Sequence, residues 1–175
     1  MLVFKITQLL NRKEGAQETH ELDEAVPFVQ DEEYTPVSRC TGTVLFMRLP
    51  NEISVQLSSA SVDVECTCSR CLKRHVRIVT IPRAEREFLI DVPPEEMTEG
   101  EDNFFVDTHN RSIDITEMLR QEILLHFPEK AVCCEGCKGL CDGCGKDLND
   151  GPCSCVKIDK DDDAKPLKNL KKLLQ

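Results

Sequence analysis

Seven of the eleven cysteines fall within 23 residues, and this crowding constrains the fold more than any other feature. The segment runs from Cys133-Cys134 through Cys137, Cys141 and Cys144 to Cys153-Ser-Cys155. A short glycine-rich segment of this kind buries too little apolar area to order itself, whereas thiolate ligation of a metal supplies that order directly. We therefore predict that residues 133–155 are organised by at least one zinc ion.

Zinc explains the cysteines better than disulfide bonds do. The count is odd, and the start of the sequence lacks a charged leader ahead of its apolar run and a small-residue cleavage site. The cysteines also cluster at metal-ligand spacings, which a disulfide scaffold does not require. No apolar run approaches the roughly 18 residues of a membrane span. We expect a soluble cytoplasmic protein with no membrane contact.

The pair Cys141 and Cys144 has the spacing that wraps one zinc ion, because the intervening turn aims both sulfurs at a single point. Gly145 follows at once, and such a turn commonly needs a residue that can take positive φ. Cys153 and Cys155 can supply the other two ligands. The first predicted zinc site is therefore made by Cys141, Cys144, Cys153 and Cys155.

A second pair, Cys68 and Cys71, lies far upstream at the junction between two predicted strands. A second four-thiolate site needs two more ligands, Cys137 and either Cys133 or Cys134. This site would tie the sheet to the C-terminal segment and leave Cys40 and Cys66 without a metal. The hypothesis is one or two structural zinc ions, with a second ligand set that we write as Cys68, Cys71, Cys133 and Cys137.

A thiol-redox protein is the rival interpretation of Cys68 and Cys71. Redox pairs normally lie at a helix N-terminus, where the helix dipole lowers the thiol pKa, but the residues that follow Cys71 look like a strand. The four histidines sit apart from any nucleophile, and the sequence has no phosphate loop or dinucleotide glycine pattern. A zinc with four thiolates has no open position to activate water. We expect a protein that is not an enzyme and has no small-molecule substrate.

The fold class predicted is α+β: a mainly antiparallel β-sheet with one amphipathic helix and a C-terminal cysteine-rich zinc-binding module. Short β-type runs are predicted at residues 44–49, 53–57, 61–66 and 75–81. Residues 2–10 have the pattern of a strand, residues 14–33 that of an irregular acidic connection, and residues 92–100 that of an exposed loop before a short strand at 103–107. A helix is predicted from Ile115 to Phe127, with Asp114 as N-cap and Glu117 completing a capping box. Its apolar stripe, which includes Leu125, is interpreted as core.

These patterns divide the chain into three parts. Residues 1–130 form a β-rich domain that ends in the helix, residues 131–156 form the zinc-binding module, and residues 157–175 form a charged tail with a short basic amphipathic helix. A terminal helix this short is marginal without a surface to pack on. Docking on the protein itself, fraying and a partner-binding role all remain open for it.

The formal net charge of −10 argues against a uniformly basic nucleic-acid binder. Basic residues are nevertheless concentrated between residues 70 and 86, beside the Cys68–Cys71 pair. An ordinary solvated strand face is the plain interpretation of this stretch. The residues that we predict to contact RNA are Arg70, Lys73, Arg74 and Arg77.

Several motifs, taken in order, closely resemble the YceD family of large ribosomal RNA subunit accumulation proteins. They are Cys68-Ser-Arg-Cys71-Leu72, Glu122-Ile-Leu-Leu-His-Phe-Pro128, Cys137-Lys-Gly-Leu-Cys141, Cys144-Gly145, Leu148-Asn149 and Cys153-Ser-Cys155. Two positions depart from the family pattern: Asp142 stands where proline is common, and residues 161–166 replace the usual Asp-Pro-Arg tail.

The resemblance implies a bacterial cytoplasmic protein, with chloroplast relatives, that is needed for accumulation or processing of large-subunit (23S) ribosomal RNA. The function we expect is non-catalytic support of ribosome biogenesis, through binding of precursor ribosomal RNA or a ribosomal protein. A zinc adaptor that binds only protein, through its acidic surface, is the main alternative.

Overall fold

The computed structural model describes residues 1–26, 34–90 and 103–155. The elements are β1 (Val3–Lys5), α1 (Thr7–Leu10), β2 (Gln17–Ala25), β3 (Tyr34–Pro36), β4 (Arg39–Arg48), β5 (Glu52–Thr67), β6 (Arg74–Leu89), β7 (Phe104–Phe105), β8 (Ser112–Asp114), α2 (Thr116–His126) and a 3₁₀ turn (Leu148–Asp150). The sheet has the order β2-β4-β5-β6-β7, and β3 pairs with β5 just beyond the start of β4. All pairings are antiparallel except the parallel pair β6–β7. A separate antiparallel pair joins β1 to β8.

The hairpin of β5 and β6 dominates the sheet and corrects one prediction. The predicted strands at 53–57 and 61–66 are a single 16-residue strand, not two neighbours. The small polar residues between them form an irregularity in which Ser59 takes a φ of 50° and the register against β4 shifts between Thr41 and Thr43. A bulge of this kind twists the chain without ending the strand, which the sequence alone reads as a break. The clean alternation is confirmed, since Val62 and Val64 are buried.

Two predictions for the N-terminal region are wrong. Residues 2–10 are not one strand but β1 followed by α1, because Ile6 and Leu9 are both fully buried and a helical turn places them on one side. Much of the expected irregular connection is β2, which pairs with β4 over all nine of its residues. Its exposed acidic side chains resemble those of a loop, which is why the sequence did not indicate a strand. Charged side chains are typical of an edge strand, because they prevent pairing with other chains.

The helix α2 begins and ends one residue inside the predicted bounds. The backbone N–H of Thr116 donates to Asp114 Oδ1 at 2.9 Å, so the predicted carboxylate does satisfy a helix N–H. The predicted capping box does not form, since Glu117 pairs with Arg120 instead. Ion pairing three residues along a helix competes with the reach back to the N-cap.

The apolar stripe of α2 packs on the inner face of the sheet. Met118, Leu119 and Ile123 are buried, as the core interpretation requires, but Leu125 is 70% exposed and does not belong to the stripe. Glu122 is also buried, and its carboxylate forms an ion pair with Arg86 of β6 at 2.6 Å. This pair fixes the helix against the long hairpin, since an unpaired carboxylate there would be strongly unfavourable.

The remaining predictions concern the loops and the ends. The predicted strand at 103–107 is present as the two-residue β7. The predicted loop at 92–100 and the charged tail at 157–175 lie outside the described residues. In the described part of the chain, no helix is long and apolar enough to cross a lipid bilayer.

Candidate metal centres

Two groups of four cysteines converge in the structure. The buried cluster is Cys68, Cys71, Cys133 and Cys137, and the outer cluster is Cys141, Cys144, Cys153 and Cys155. Within each cluster all four sulfurs lie within 4.8 Å of one another. The eight residues are those that the sequence analysis named as metal ligands, and each group could hold a metal ion.

The buried cluster joins the tip of the β5–β6 hairpin to the C-terminal segment. Cys68 Sγ lies 3.8 Å from Cys137 Sγ, and Cys71 Sγ lies 3.7 Å from Cys133 Sγ. These separations are far longer than the roughly 2.05 Å of a disulfide bond. Cys68 is fully buried, and Val132 and Leu140 pack against the cluster. The backbone N–H of Ser69 donates to the carbonyl of Ala131 at 2.7 Å, which fixes the two segments side by side.

A tight turn positions the first two sulfurs of the buried cluster. The N–H of Cys68 donates to the carbonyl of Lys73 at 2.9 Å, and the N–H of Leu72 donates to the carbonyl of Cys68 at 3.0 Å. Leu72 takes a φ of 58°, which is uncommon for a residue with a branched side chain. The turn therefore uses local backbone strain to point both sulfurs to one side.

The outer cluster repeats this turn. The N–H of Cys141 donates to the carbonyl of Lys146, and the N–H of Gly145 donates to the carbonyl of Cys141, each at 2.8 Å. Gly145 takes a φ of 71°, as the sequence analysis expected for the residue after the pair. The two turns thus share one hydrogen-bonded frame, and we call them the first and second knuckle.

The outer cluster differs from the buried one in exposure and spacing. Cys144 and Cys155 are exposed, and Cys141 and Cys153 are half-buried. The sulfurs of Cys141 and Cys153 lie 3.1 Å apart. No apolar packing comparable to that around the buried cluster surrounds these residues in the part of the chain described.

Hydrogen bonds to sulfur stabilise thiolate in the buried cluster. The pKa of Cys68 falls to about 5, first because of the backbone N–H of Cys71 and also because of those of Arg70 and Cys133. The latter two nitrogens lie 3.5 and 3.4 Å from the sulfur. The pKa of Cys137 is lowered mainly by the side-chain amide of Asn149. Donors of this kind are the usual partners of metal-ligating thiolates.

Neighbouring thiols set the proton affinities in the outer cluster. The pKa of Cys141 falls to about 6, chiefly through its hydrogen bond with Cys153 and then through the backbone N–H of Cys144. The pKa of Cys155 rises to about 12, mainly because Cys144 shares a hydrogen bond with it. In the outer cluster, therefore, a thiol proton on one sulfur stabilises negative charge on its neighbour. A divalent cation at the centre would replace such protons.

Asp147 and Asn149, which the sequence analysis did not single out as site residues, connect the two clusters. Asn149 Nδ2 donates to Cys137 Sγ at 3.5 Å, and Asn149 Oδ1 accepts from the N–H of Lys138. Asp147 pairs with Lys73 Nζ at 2.6 Å, which raises the pKa of the lysine and lowers that of the carboxyl. Short polar residues between two cysteine pairs are the only sequence signal of this role.

The other cysteines lie outside both groups. Cys134, which the sequence left as an alternative to Cys133, is exposed and does not join the buried cluster. Cys40 and Cys66 are buried in the main core. Burial raises the pKa of both thiols, to about 11 for Cys40. A raised pKa disfavours the thiolate form that metal ligation and nucleophilic attack require.

The four predicted RNA contacts lie on the first knuckle and the start of β6, and three of them have partners within the protein. Arg70 donates to the carbonyl of Cys137 at 2.9 Å. Lys73 binds Asp147, and Arg74 pairs with Glu65 at 2.7 Å. Arg77 is half-buried beside Val64 of β5. The cations therefore hold the knuckles to the sheet as well as facing solvent.

Comparison with known proteins agrees with the motif resemblance. Residues 58–174 match the family model described as "Large ribosomal RNA subunit accumulation protein YceD". A relative from Arabidopsis thaliana, named "Large ribosomal RNA subunit accumulation protein YCED homolog 1, chloroplastic", is 35% identical over 75 residues, which are 43% of this chain and 23% of the relative. The chain thus spans about a quarter of that relative's length, and no solved structure matches it. Because the family model covers more than half of the chain, including both knuckles, this protein belongs to the YceD family of large ribosomal RNA subunit accumulation proteins.

Proposed function

We propose that this protein supports accumulation of large-subunit ribosomal RNA as a non-catalytic factor in the bacterial cytoplasm, acting by contact with precursor RNA or with a ribosomal protein. Membership of a family named for that role carries the proposal. We further propose that each cysteine cluster holds one structural zinc ion. In this scheme residues 131–156 form a zinc module docked on the β-rich domain, and residues 157–175 form a separate tail.

The sulfur geometry supports zinc in the buried cluster. Four sulfurs placed tetrahedrally about 2.3 Å from a zinc ion lie about 3.8 Å from one another. The Cys68–Cys137 and Cys71–Cys133 sulfur separations in the buried cluster are 3.8 and 3.7 Å. In the outer cluster the Cys141–Cys153 separation of 3.1 Å is shorter, so those sulfurs must move apart slightly to accept the ion.

The ligand chemistry supports a structural role. Four thiolates fill every position of a tetrahedral zinc, which leaves none for a reacting water. Cys68 and Cys71 lie in a strand-to-strand turn and not at a helix N-terminus, so the usual device of a redox pair is missing from this site. Zinc would instead order the knuckles and present their basic side chains to a partner.

The candidate RNA contacts remain Arg70, Lys73, Arg74 and Arg77. Arg70, Lys73 and Arg74 would have to exchange an internal partner for a phosphate, which reduces the net gain from each contact. A charged protein surface that binds without base contacts positions RNA without reading its sequence. This fits a factor that supports RNA accumulation without modifying it.

Depletion of the protein from its own cells tests the function. We expect the ratio of large-subunit to small-subunit ribosomal RNA to fall by about half or more, and expression of the wild-type chain to restore it. The double variants Cys68→Ser/Cys71→Ser and Cys141→Ser/Cys144→Ser should restore it poorly, whereas Cys134→Ser should restore it fully. An unchanged ratio on depletion would refute the proposed role.

Two measurements on the purified protein test the zinc proposal and the RNA-binding proposal separately. Elemental analysis should give two zinc ions per chain. Crosslinking in cell extract, with identification of both RNA and protein partners, should recover precursor large-subunit RNA in a salt-sensitive manner. Capture of a ribosomal protein with no RNA would favour the adaptor alternative.

A further inference from the structure

We propose that Arg12, Lys13 and Arg48 form a binding site for the phosphodiester backbone of RNA, at the end of the sheet opposite the knuckles. The inference rests on the proposed function, because it takes RNA as the ligand. It adds a surface that the sequence analysis did not predict and that no cysteine contributes to.

These residues line an open concavity of about 500 Å3, whose wall also includes Glu14. We call it the basic groove. Arg12 and Lys13 follow α1, and Arg48 ends β4, so the three cations come from segments about 35 residues apart in the sequence. Because the fold brings these distant segments together, the positive surface is not visible as a cluster in the sequence.

Backbone hydrogen bonds hold the groove in shape. The N–H of Gly15 donates to the carbonyl of Arg48 at 2.8 Å, and the N–H of Arg48 donates to the carbonyl of Ala16 at 2.9 Å. The N–H of Arg12 donates to the carbonyl of Leu9, and Leu9 is fully buried. Ordering this backbone on folding means that less conformational freedom is lost when a ligand binds.

The cations of the groove have no ion-pair partner in the described part of the chain, whereas three of the four on the knuckle side have a partner within the protein. Among residues 1–26, 34–90 and 103–155, no carboxylate forms an ion pair with the side chain of Arg12, Lys13 or Arg48. Arg70, Lys73 and Arg74 all have internal partners. A phosphate entering the groove therefore gains charge-assisted hydrogen bonds without displacing a carboxylate of the described residues.

The charge balance favours a polyphosphate ligand with a localised contact. Three cations and one carboxylate give the groove a net charge of about +2 within a chain whose formal net charge is −10. Two guanidinium forks match the geometry of phosphate oxygens, and the lysine adds a point charge. Away from the groove and the knuckle cations the surface is acidic and repels RNA, so the groove adds a second defined point at which the backbone approaches.

The groove is remote from the metal centres, which makes it separately testable. Arg48 pairs with Ile53 near one end of β5, while Cys68 follows the other end. Fourteen residues of extended strand separate Ile53 from Thr67, a distance of about 45 Å at roughly 3.3 Å per residue. Substitution of the three groove cations should therefore leave both cysteine clusters intact.

The experiment compares two triple variants of the full chain in binding to a transcript of precursor large-subunit ribosomal RNA. The test variant is Arg12→Ala/Lys13→Ala/Arg48→Ala. The control is Arg39→Ala/Arg83→Ala/Arg120→Ala, which removes the same charge from cations that face Asp23, Glu85 and Glu117. We expect at least a tenfold loss of affinity for the test variant at moderate salt, and less than threefold for the control. The slope of log affinity against log salt should fall in magnitude by about two for the test variant alone.

Zinc content and circular dichroism check that both variants fold, and the milder pair Arg12→Ala/Lys13→Ala, both exposed, gives a second reading if the triple variant is unstable. Wild-type RNA binding that survives in the test variant would overturn the groove while leaving the proposed function standing. Failure of the wild-type protein to bind the transcript would overturn both the groove and the RNA arm of the proposed function.

Discussion

The buried and outer clusters are built on the same turn but are held by different surroundings. In each, the N–H of the first cysteine donates to the carbonyl five residues on, and the residue four positions on takes positive φ. Around the buried cluster the turn closes a 16-residue strand pair, and apolar residues pack against the sulfurs. Around the outer cluster the sulfurs are half-buried or exposed. The comparison shows that the knuckle sets ligand direction, while the surrounding packing sets how well the site is protected.

The largest difference should appear in global stability. Cys68→Ser/Cys71→Ser should lower the free energy of unfolding by about 4 kcal/mol, because the proposed metal ion at the hairpin tip would couple its binding to folding of the whole sheet. Cys141→Ser/Cys144→Ser should lower it by less than half as much, since only the second knuckle would depend on the proposed outer ion. Urea unfolding followed by circular dichroism, in reducing buffer with zinc, measures both. The exposed thiol supplies the control, as Cys134→Ser should change stability by under about 0.5 kcal/mol. Equal losses in the two double variants would contradict the comparison.

The second-largest difference between the two clusters should appear in the rate of metal release. A chelator reaches the exposed sulfurs of Cys144 and Cys155 directly, but Cys68 is fully buried. We expect zinc to leave in two phases of equal size, with the outer ion about 100-fold faster. A chromogenic chelator followed by absorbance gives both rates, and Cys141→Ser/Cys144→Ser should lack the fast phase. Release in a single phase from the wild-type protein would mean that the packing does not protect the buried site.

Asn149 should have a smaller effect, confined to the buried cluster. Its side-chain amide donates to Cys137 Sγ, and loss of such a donor typically weakens metal binding by about tenfold. Asn149→Ala should therefore lower zinc affinity at the buried cluster by roughly that factor while the outer cluster is unchanged. Competition with a chelator of known affinity measures it. Asn110→Ala is the matched control, because that amide bonds only to Asp107 in the described residues. Equal zinc affinities for Asn149→Ala and Asn110→Ala would show that the hydrogen bond from Asn149 to Cys137 does not strengthen metal binding.

The two clusters also differ in what the sequence could reveal about their surroundings. Cysteine spacing alone pointed to seven of the eight thiols that converge, because a C-x-x-C turn has few geometries. It could not choose between Cys133 and Cys134, since that choice depends on how the segment after α2 meets the hairpin tip. The long strand β5 was also missed at Ser59, where small polar residues signal a break but a bulge continues the pairing. Contacts made by tertiary packing, such as Asn149 with Cys137, leave no periodic signal in the chain.

The smallest expected difference concerns the glycines beside the two knuckles. Gly139, next to the buried cluster, has a φ of 73°, and a Cβ there would lie 3.0 Å from the carbonyl oxygen of Arg70. Gly145 has a similar φ of 71°, but a Cβ there would meet nothing within 4 Å. Gly145→Ala should thus cost only the left-handed conformation, about 1 kcal/mol, whereas Gly139→Ala should cost about 2 kcal/mol because the knuckle must also shift. Urea unfolding measures the pair, with Gly136→Ala as a control that has open space and no positive φ. If both alanine variants lost the same stability, the close approach of Gly139 to Arg70 would carry no energetic weight, and the two knuckles would differ only in their exposure to solvent.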